Sequence, residues 1–424
     1  MFGDDVMQNV YLVIDLKTFY ASVECVERGL NPFTTNLVVA DPSRGKGAIC
    51  LAISPALKML GIKNRCRIYE IPPEVKYITA VPRMKKYIDY SANIYAIYLK
   101  YISKEDIHMY SIDEAFLDIT RYLSLYKMKS IDIAKMIIKD IYDTYGITAT
   151  CGIGTNMYLA KIALDILSKH SPTNIGWLTE EKYKKELWHH KPLTDFWQIG
   201  NGIQRRLNKL RIYDMYDIAH ANPKILFKEF GVNAQFLIDH ANGIEPCTIE
   251  DVKAYKPKNN SISSSQILFR DYNYDEAELV LKEMVELLSE QLIEKNLETD
   301  CIHLYIGYSK DFEKHSGGSR RLRNFTNLYT KLVYEFKRLY EETTDKNIPI
   351  RRIGISFDRT QEFKSEQINL FEDIESKTKE RRLKKSIIEI KSKMGKNAIL
   401  KGMNLEDAAT TIIRNKLIGG HNGY

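Results

Sequence analysis

Asp15 ends the apolar run Tyr11-Leu-Val-Ile-Asp15, and Asp113 and Glu114 sit side by side in Tyr110-Ser-Ile-Asp-Glu-Ala-Phe-Leu-Asp-Ile-Thr120. Both sites fall where an apolar strand should end or turn. An ionised carboxylate held against Val, Ile and Phe is costly unless something cationic compensates it, so acids at strand ends point to a bound metal. Three such carboxylates suit Mg²⁺, a hard ion that takes oxygen ligands and keeps room for water and substrate phosphates. A pair of these ions serves in-line phosphoryl transfer. Taken singly, Asp15 also reads as a helix cap and Asp113-Glu114 as a solvated hairpin turn.

The elements that must position these groups follow from the apolar pattern. Val10 to Ile14 predicts a short buried strand, with Thr18 as N-cap of a helix through Phe19, Val23 and Val26. The free N–H groups near Phe19 and Tyr20 would then be open to a phosphate or another anion. Leu37 to Ala40 reads as a strand, Ser54 to Leu60 as a short helix ended by Gly61, and Arg83 to Tyr101 as a long helix rich in Tyr. A hairpin over Ser111 to Thr120, a helix Ser130 to Tyr145, a strand Thr148 to Gly152 and a helix Met157 to Ser168 follow. In Trp197-Gln-Ile-Gly200-Asn-Gly202 the glycines precede a basic amphipathic helix, either as a tight connection or to let a DNA phosphate approach closely. Pro246 to Asn260 reads as a linker. Beyond it, the segment Ser261 to Phe269, a helix Asp275 to Asn296, a strand Cys301 to Tyr308, a helix Leu328 to Tyr340 and a strand Arg351 to Phe357 make an α+β unit.

Composition narrows the class. The 424 residues allow two to four domains, and 44% hydrophobic content is ample for several cores. The six Cys lack Cys-x-x-Cys spacing, which argues against a zinc site or a disulfide framework. The first residues lack the basic and long apolar regions of a signal peptide, and no apolar run is long enough to span a bilayer. A cytoplasmic protein without a membrane partner is expected. The net charge of +7 is modest, but basic residues cluster: ten Lys/Arg between Lys377 and Lys401 face only Glu380 and Glu389, and Arg205-Arg206, Arg320-Arg321-Leu-Arg323 and Arg351-Arg352 add smaller groups. Interleaved with Tyr and Phe, these favour a surface that tracks phosphates.

Asp15 continues into Leu16-Lys17-Thr18-Phe19-Tyr20-Ala21-Ser22-Val23-Glu24, and Ser111-Ile-Asp-Glu-Ala-Phe116 follows. Together these resemble the Y-family translesion DNA polymerases, particularly the UmuC/DinB branch, over nearly the whole chain. The end, Ile418-Gly-Gly-His421, is similar to the Gram-positive UmuC-like members. The resemblance implies an α+β right hand. Its palm would comprise 1–26 and 85–173, its small fingers 27–84, and its helical thumb with a helix-hairpin-helix element 174–243. A linker at 244–260, an α+β little finger at 261–358 and a C-terminal tail at 359–424 would follow.

The same resemblance implies an error-prone, template-directed DNA polymerase that bypasses lesions in an SOS-type damage response. Asp15 and Asp113 would bridge two Mg²⁺ ions, helped by Glu114 and the Leu16 carbonyl, with Mn²⁺ able to substitute. Lys58 and Lys169 would contact the triphosphate, although Lys169 is displaced by one residue after Lys161-Ile-Ala and Pro55 stands where several relatives have a Tyr. Tyr20 would be the steric gate that excludes the ribonucleotide 2′ hydroxyl, with Phe19 beside it. Primer-template DNA would be held through Gly200, Gly202, Arg320, Arg321, Arg323, Arg351 and Arg352, and deoxynucleoside triphosphates would be the substrates. Gln367-Ile-Asn-Leu370-Phe371 resembles the peptide with which bacterial polymerases bind the sliding clamp. A recombinase filament or accessory subunit stays open as a partner. A palm-type nucleotidyl cyclase would need neither thumb nor little finger. A catalytically weak paralogue acting as a damage-response adaptor is the other alternative, and the three intact carboxylates argue against it.

Overall fold

A computed structural model describes residues 9–257, 260–364 and 374–424. The chain divides into two compact units, Met1–Tyr255 with Asn422–Tyr424, and Lys256–His421.

The first unit is built on a five-stranded sheet. The strand β1 (Tyr11–Leu16) leads into helix α1 (Phe19–Val26). A small sheet of β2 (Leu37–Val39), β3 (Ala52–Ile53) and β4 (Ile78–Ala80) follows, with the short helix α2 (Pro55–Met59) after β3. Ser54 caps α2 by accepting from Leu57 N–H. Helix α3 (Met84–Tyr101) returns the chain to the main sheet, where β5 (Ile107–Met109) and β6 (Glu114–Asp118) form a hairpin that begins four residues before the expected Ser111, which lies in its turn. Helices α4 (Thr120–Tyr126) and α5 (Ser130–Tyr145) precede β7 (Ala149–Gly154), α6 (Met157–Ile162) and β8 (Ile175–Leu178). The strand order is β5-β6-β1-β7-β8, so the short apolar strand β1 is central and fully enclosed, as its unbroken apolar run requires.

A helical cluster ends this unit: α7 (Glu180–Leu187), α8 (Asn201–Lys209), α9 (Met215–His220), α10 (Pro223–Phe230) and α11 (Ala234–Ala241) pack around Leu207, Ile218, Leu226 and Leu237. The expected linker contains a helix, α12 (Ile249–Ala254). A capping box between Thr248 and Asp251 starts that helix, and Ile249 joins Tyr11, Val13 and Phe116 in the core.

In the second unit four antiparallel strands, β9 (Asn260–Tyr272), β10 (Leu297–Tyr308), β11 (His315–Thr326) and β12 (Ile350–Glu362), are ordered β11-β10-β12-β9. Helices α13 (Tyr274–Glu294) and α14 (Tyr329–Thr343) share a core with this sheet through Val280, Met284, Phe336 and Phe357. The expected tail is mostly part of this unit. Helix α15 (Ile374–Met394) sends buried Lys384 to Glu286 and Glu290 of α13, and Lys391 Nζ lies 2.9 Å from Glu290. Glu283, 1% exposed, accepts from Asn404 at 2.8 Å and from Thr410 N–H at 2.7 Å. Part of the basic run therefore neutralises acids of α13 instead of facing solvent. Among the described residues no helix is long and apolar enough to cross a membrane.

Candidate active site

Register places two of the three carboxylates opposite each other. Asp15 on β1 pairs with Glu114 on β6, and the Leu16 N–H donates to the Asp113 carbonyl at 2.9 Å. Strand alternation puts Tyr11, Val13 and Asp15 on one face of β1, with Phe116 and Glu114 beside them on β6. Helix α6 covers this face through Met157 and Ala160. It can do so because β7 carries glycines under it: a Cβ at Gly152 would fall 2.0 Å from the Ala160 carbonyl oxygen, and one at Gly154 would fall 2.2 Å from the Ala160 nitrogen. That close approach brings Lys161, 7% exposed, to the end of the sheet.

Lys161 Nζ stands 2.8 Å from Glu114 Oε1 and 3.1 Å from Asp165 Oδ1. The contact with Glu114 is an ion pair without hydrogen-bond alignment, so the buried Oε1 is left without a hydrogen-bond donor. Burial, then the charges of Asp113 and Glu114, push Asp15 up to about 7, with Lys161 pulling the other way. Burial also raises Glu114 despite Lys161. Burial works against the Lys161 ammonium, yet Asp165 and Glu114 hold its pKa above the ordinary lysine value. Negative charge is therefore in excess here, which is the electrostatic condition for a cation site.

The carboxylates do not yet form a cage. Among the described residues no three acidic, His or Cys side chains are gathered closely enough to enclose an ion. Asp113 turns to accept from Ser111 Oγ at 2.6 Å, while Glu114 leans on Lys161. The convergence expected from sequence is therefore not preformed among the described residues. The donor set nonetheless fits a hard divalent ion: carboxylate oxygens, one of them buried and without a hydrogen-bond donor.

Helix α1 supplies the neighbouring groups. Thr18 does not cap it; its backbone is left-handed, with φ 48°, and no side chain caps the helix start. The hydroxyl instead meets Ser22 Oγ at 3.0 Å. The first-turn N–H groups at Phe19 and Tyr20 are thus without a side-chain acceptor, as an anion site at a helix start needs. Phe19 is buried, whereas Tyr20 is partly exposed and stacks on Tyr87 with ring centroids 4.5 Å apart. Tyr87 in turn donates to Glu24 at 2.8 Å, and Arg83 holds the same carboxylate with Nε at 2.9 Å and Nη2 at 2.7 Å. Burial first, then Asp113, raises the Tyr20 phenol, with Arg65 pulling the other way.

Lysines complete the site. Desolvation lowers Lys58; Asp15 opposes this, and Lys169 and Lys17 add to it, so three ammonium groups share one region next to Asp15. The backbone before Lys169 departs from a regular α-helix. Residues Ala163–Leu167 form a π-helical turn, which accommodates one extra residue per turn before the turn Ser168–His170 that carries Lys169. Lys17 and Lys161 are absent from the residues expected to act. Alternation carried past Leu16 would have put Lys17 on the face of Asp15, whereas no local pattern around Lys161 reveals its partner on β6.

The remaining expected residues lie elsewhere. Gly200 is the N-cap of α8, but Gly202 lies inside its first turn, so only one glycine precedes the helix; open space surrounds both. Arg320 pairs with Glu335 at 3.5 Å and also with Glu342, and Arg321 pairs with Asp300 at 2.9 Å. Arg351 stands 3.7 Å from Asp271, Arg352 lies over the Tyr305 ring, and Arg323 is exposed. Gln367, Leu370 and Phe371 fall outside the described residues.

An α+β fold with acids at the end of a central strand pair, lysines beside them and a separate four-stranded unit defines a polymerase-like class. Residues 14–165 match the impB/mucB/samB family and residues 259–370 match its C-terminal domain. A candidate UV-damage repair protein of Bacillus subtilis (strain 168), UvrX, is 33% identical over 97% of this chain and 97% of its own length. DNA polymerase IV 2 of the same organism is 32% identical over 98% of this chain and 99% of its own. A solved Y-family DNA polymerase chimera of Dbh and Dpo4 shares the fold, with a TM-score of 0.65 over 82% of this chain and 98% of that one at 23% identity. The chain belongs to the impB/mucB/samB family and shares the fold of a Y-family DNA polymerase.

Proposed function

We propose that this DNA-directed DNA polymerase performs error-prone translesion synthesis, joining deoxynucleotides to a primer by nucleotidyl transfer at Asp15, Asp113 and Glu114. The observation that carries the reading is the cross-strand pairing of Asp15 with Glu114 beside the lysines Lys17, Lys58 and Lys169. Acids for cations and ammonium groups for phosphates stand side by side, which is what a nucleoside triphosphate entering with its metal requires.

Each group has a role in this reading. Asp15, Asp113, Glu114 and the Leu16 carbonyl would hold divalent cations. When bound, such ions would supply Lewis acidity at the primer hydroxyl and charge neutralisation at the leaving pyrophosphate. Lys58, Lys169 and Lys17 would bind the triphosphate, and the start of α1 would donate N–H groups to it. Tyr20 would lie under the sugar and exclude a 2′ hydroxyl. Fingers built on a three-stranded sheet and the short helix α2 would press weakly on the nascent pair, which lowers fidelity and admits damaged templates. The glycine turn at Gly200, the exposed Arg323 and Arg352 and the partly buried Arg351 would follow the DNA backbone without reading sequence. Gln367 to Phe371 would tether the enzyme to a sliding clamp.

Primer extension on undamaged and abasic templates tests the reading. Asp113→Ala and Glu114→Ala are each expected to lower incorporation by at least about 10³-fold, with primer-template affinity unchanged. Near-parental extension by both variants would remove the metal assignment. Absence of extension by the parent with either Mg²⁺ or Mn²⁺ would favour an adaptor.

A further inference from the structure

We infer that Lys161 is a resident counter-charge for the candidate metal site: its ammonium occupies the Glu114 oxygen that a divalent cation would take, and so sets the cation concentration at which the site fills. The inference rests on the reading of Asp15, Asp113 and Glu114 as cation ligands. Its geometric basis is independent of any bound ion. Lys161 is 7% exposed and Glu114 is 8% exposed, and their charged atoms are 2.8 Å apart. Asp165, one helical turn beyond Lys161, shares the ammonium at 3.1 Å. The glycines beneath α6 let the lysine sit this low over the sheet, because a Cβ at Gly152 or Gly154 would meet the backbone of the helix.

Two consequences follow from this placement. A buried carboxylate whose cationic partner is removed is left uncompensated, so loss of Lys161 destabilises the cation-free enzyme. A divalent cation then restores what the lysine supplied and no longer competes with it for Glu114, so the lysine-free site binds the cation more tightly. Lys161 is on this account a positioning residue, acting through Glu114. Asp165 has the opposite effect. While it shares the ammonium it weakens the hold of Lys161 on Glu114, and its removal tightens that hold.

The test uses the full chain and Mn²⁺ as probe, with binding read by the loss of free-ion electron paramagnetic resonance signal and melting temperature read with and without the ion. Lys161→Met is expected to melt several degrees lower without Mn²⁺, to regain most of that difference with Mn²⁺, and to half-saturate at about tenfold lower Mn²⁺. Lys161→Arg, which keeps the charge, should stay close to the parent. Asp165→Asn should move half-saturation the other way, which keeps the inference testable if Lys161→Met does not fold. A Lys161→Met variant that melts equally low with and without Mn²⁺ and binds it with parental affinity would reduce the lysine to a structural role. Unchanged Mn²⁺ affinity in Asp165→Asn would count against the sharing. A parent that binds no Mn²⁺ would overturn the ligand reading together with the inference.

Discussion

At the residue scale the site is a contest of charges in a partly dry place. Asp15 is held up to about 7 by burial first and then by Asp113, Glu114 and Asp165, with Lys161 pulling the other way. Tyr20 is fixed differently, by stacking on Tyr87, which is itself tied to the fully buried Glu24 and through it to Arg83. Its ring is therefore held by contacts that do not involve the carboxylates. Truncating it should relieve the clash with a 2′ hydroxyl and leave the acids in place. Tyr20→Ala is expected to raise ribonucleotide use relative to deoxynucleotide use by about 10²-fold, with a smaller loss of deoxynucleotide incorporation, measured as the ratio of kcat/KM values for matched ribo- and deoxynucleotides. An unchanged ratio would make Tyr20 a core residue.

At the element scale, what holds the chemistry is the contact of α6 with β7. A side chain at Gly152 would meet backbone atoms, Ala160 O at 2.0 Å and Leu164 N at 2.3 Å, which cannot give way as a flexible side chain would. Gly152→Ala should cost about 3 kcal/mol or more, read as a lower denaturant midpoint, and should lower activity in the surviving folded fraction because Lys161 is lifted from Glu114. A fully active, equally stable variant would show that the helix can shift freely. These elements also mark how far the sequence could be read. The strand before Asp15, the hairpin before Asp118 and the helix Ser130–Tyr145 were legible because apolar periodicity and local turn chemistry act within a few residues. Thr18 was not: its type favours a cap, but the chain turns through a left-handed residue there and Ser22 takes its hydroxyl. Nor was the π-helical turn, since only packing of Ala163 over Gly176 reveals why one extra residue is accommodated. Lys161 and its partner on β6 meet only in the folded sheet, so no spacing along the chain encodes the pair.

At the scale of the whole molecule, the second unit depends on residues that the sequence presents as a tail. Helix α13 carries Glu283, Glu286 and Glu290 on one face, all nearly buried. Their partners are Lys384, Lys391, Lys401, Asn404 and Thr410, all from beyond the four-stranded sheet in sequence. Lys401 also covers the Tyr329 ring at 3.7 Å, which ties the same segment to α14. Basic residues in this run thus serve the fold before they can serve DNA. A chain ending at Lys364 would remove the lysines of Glu286 and Glu290 and the neutral donors of Glu283, at about 3–5 kcal/mol for each charge that stays buried and unpaired. That truncation should lower the melting temperature of the second unit and weaken primer-template binding even without a clamp. Loss of clamp binding on truncation would therefore say nothing about Gln367, Leu370 and Phe371. Replacing only these three with Ala is the informative change, expected to abolish clamp-stimulated synthesis while leaving melting temperature and basal extension at parental values. A triple variant that binds the clamp like the parent would end the tether reading, and a truncated chain as stable as the parent would end the account of α13.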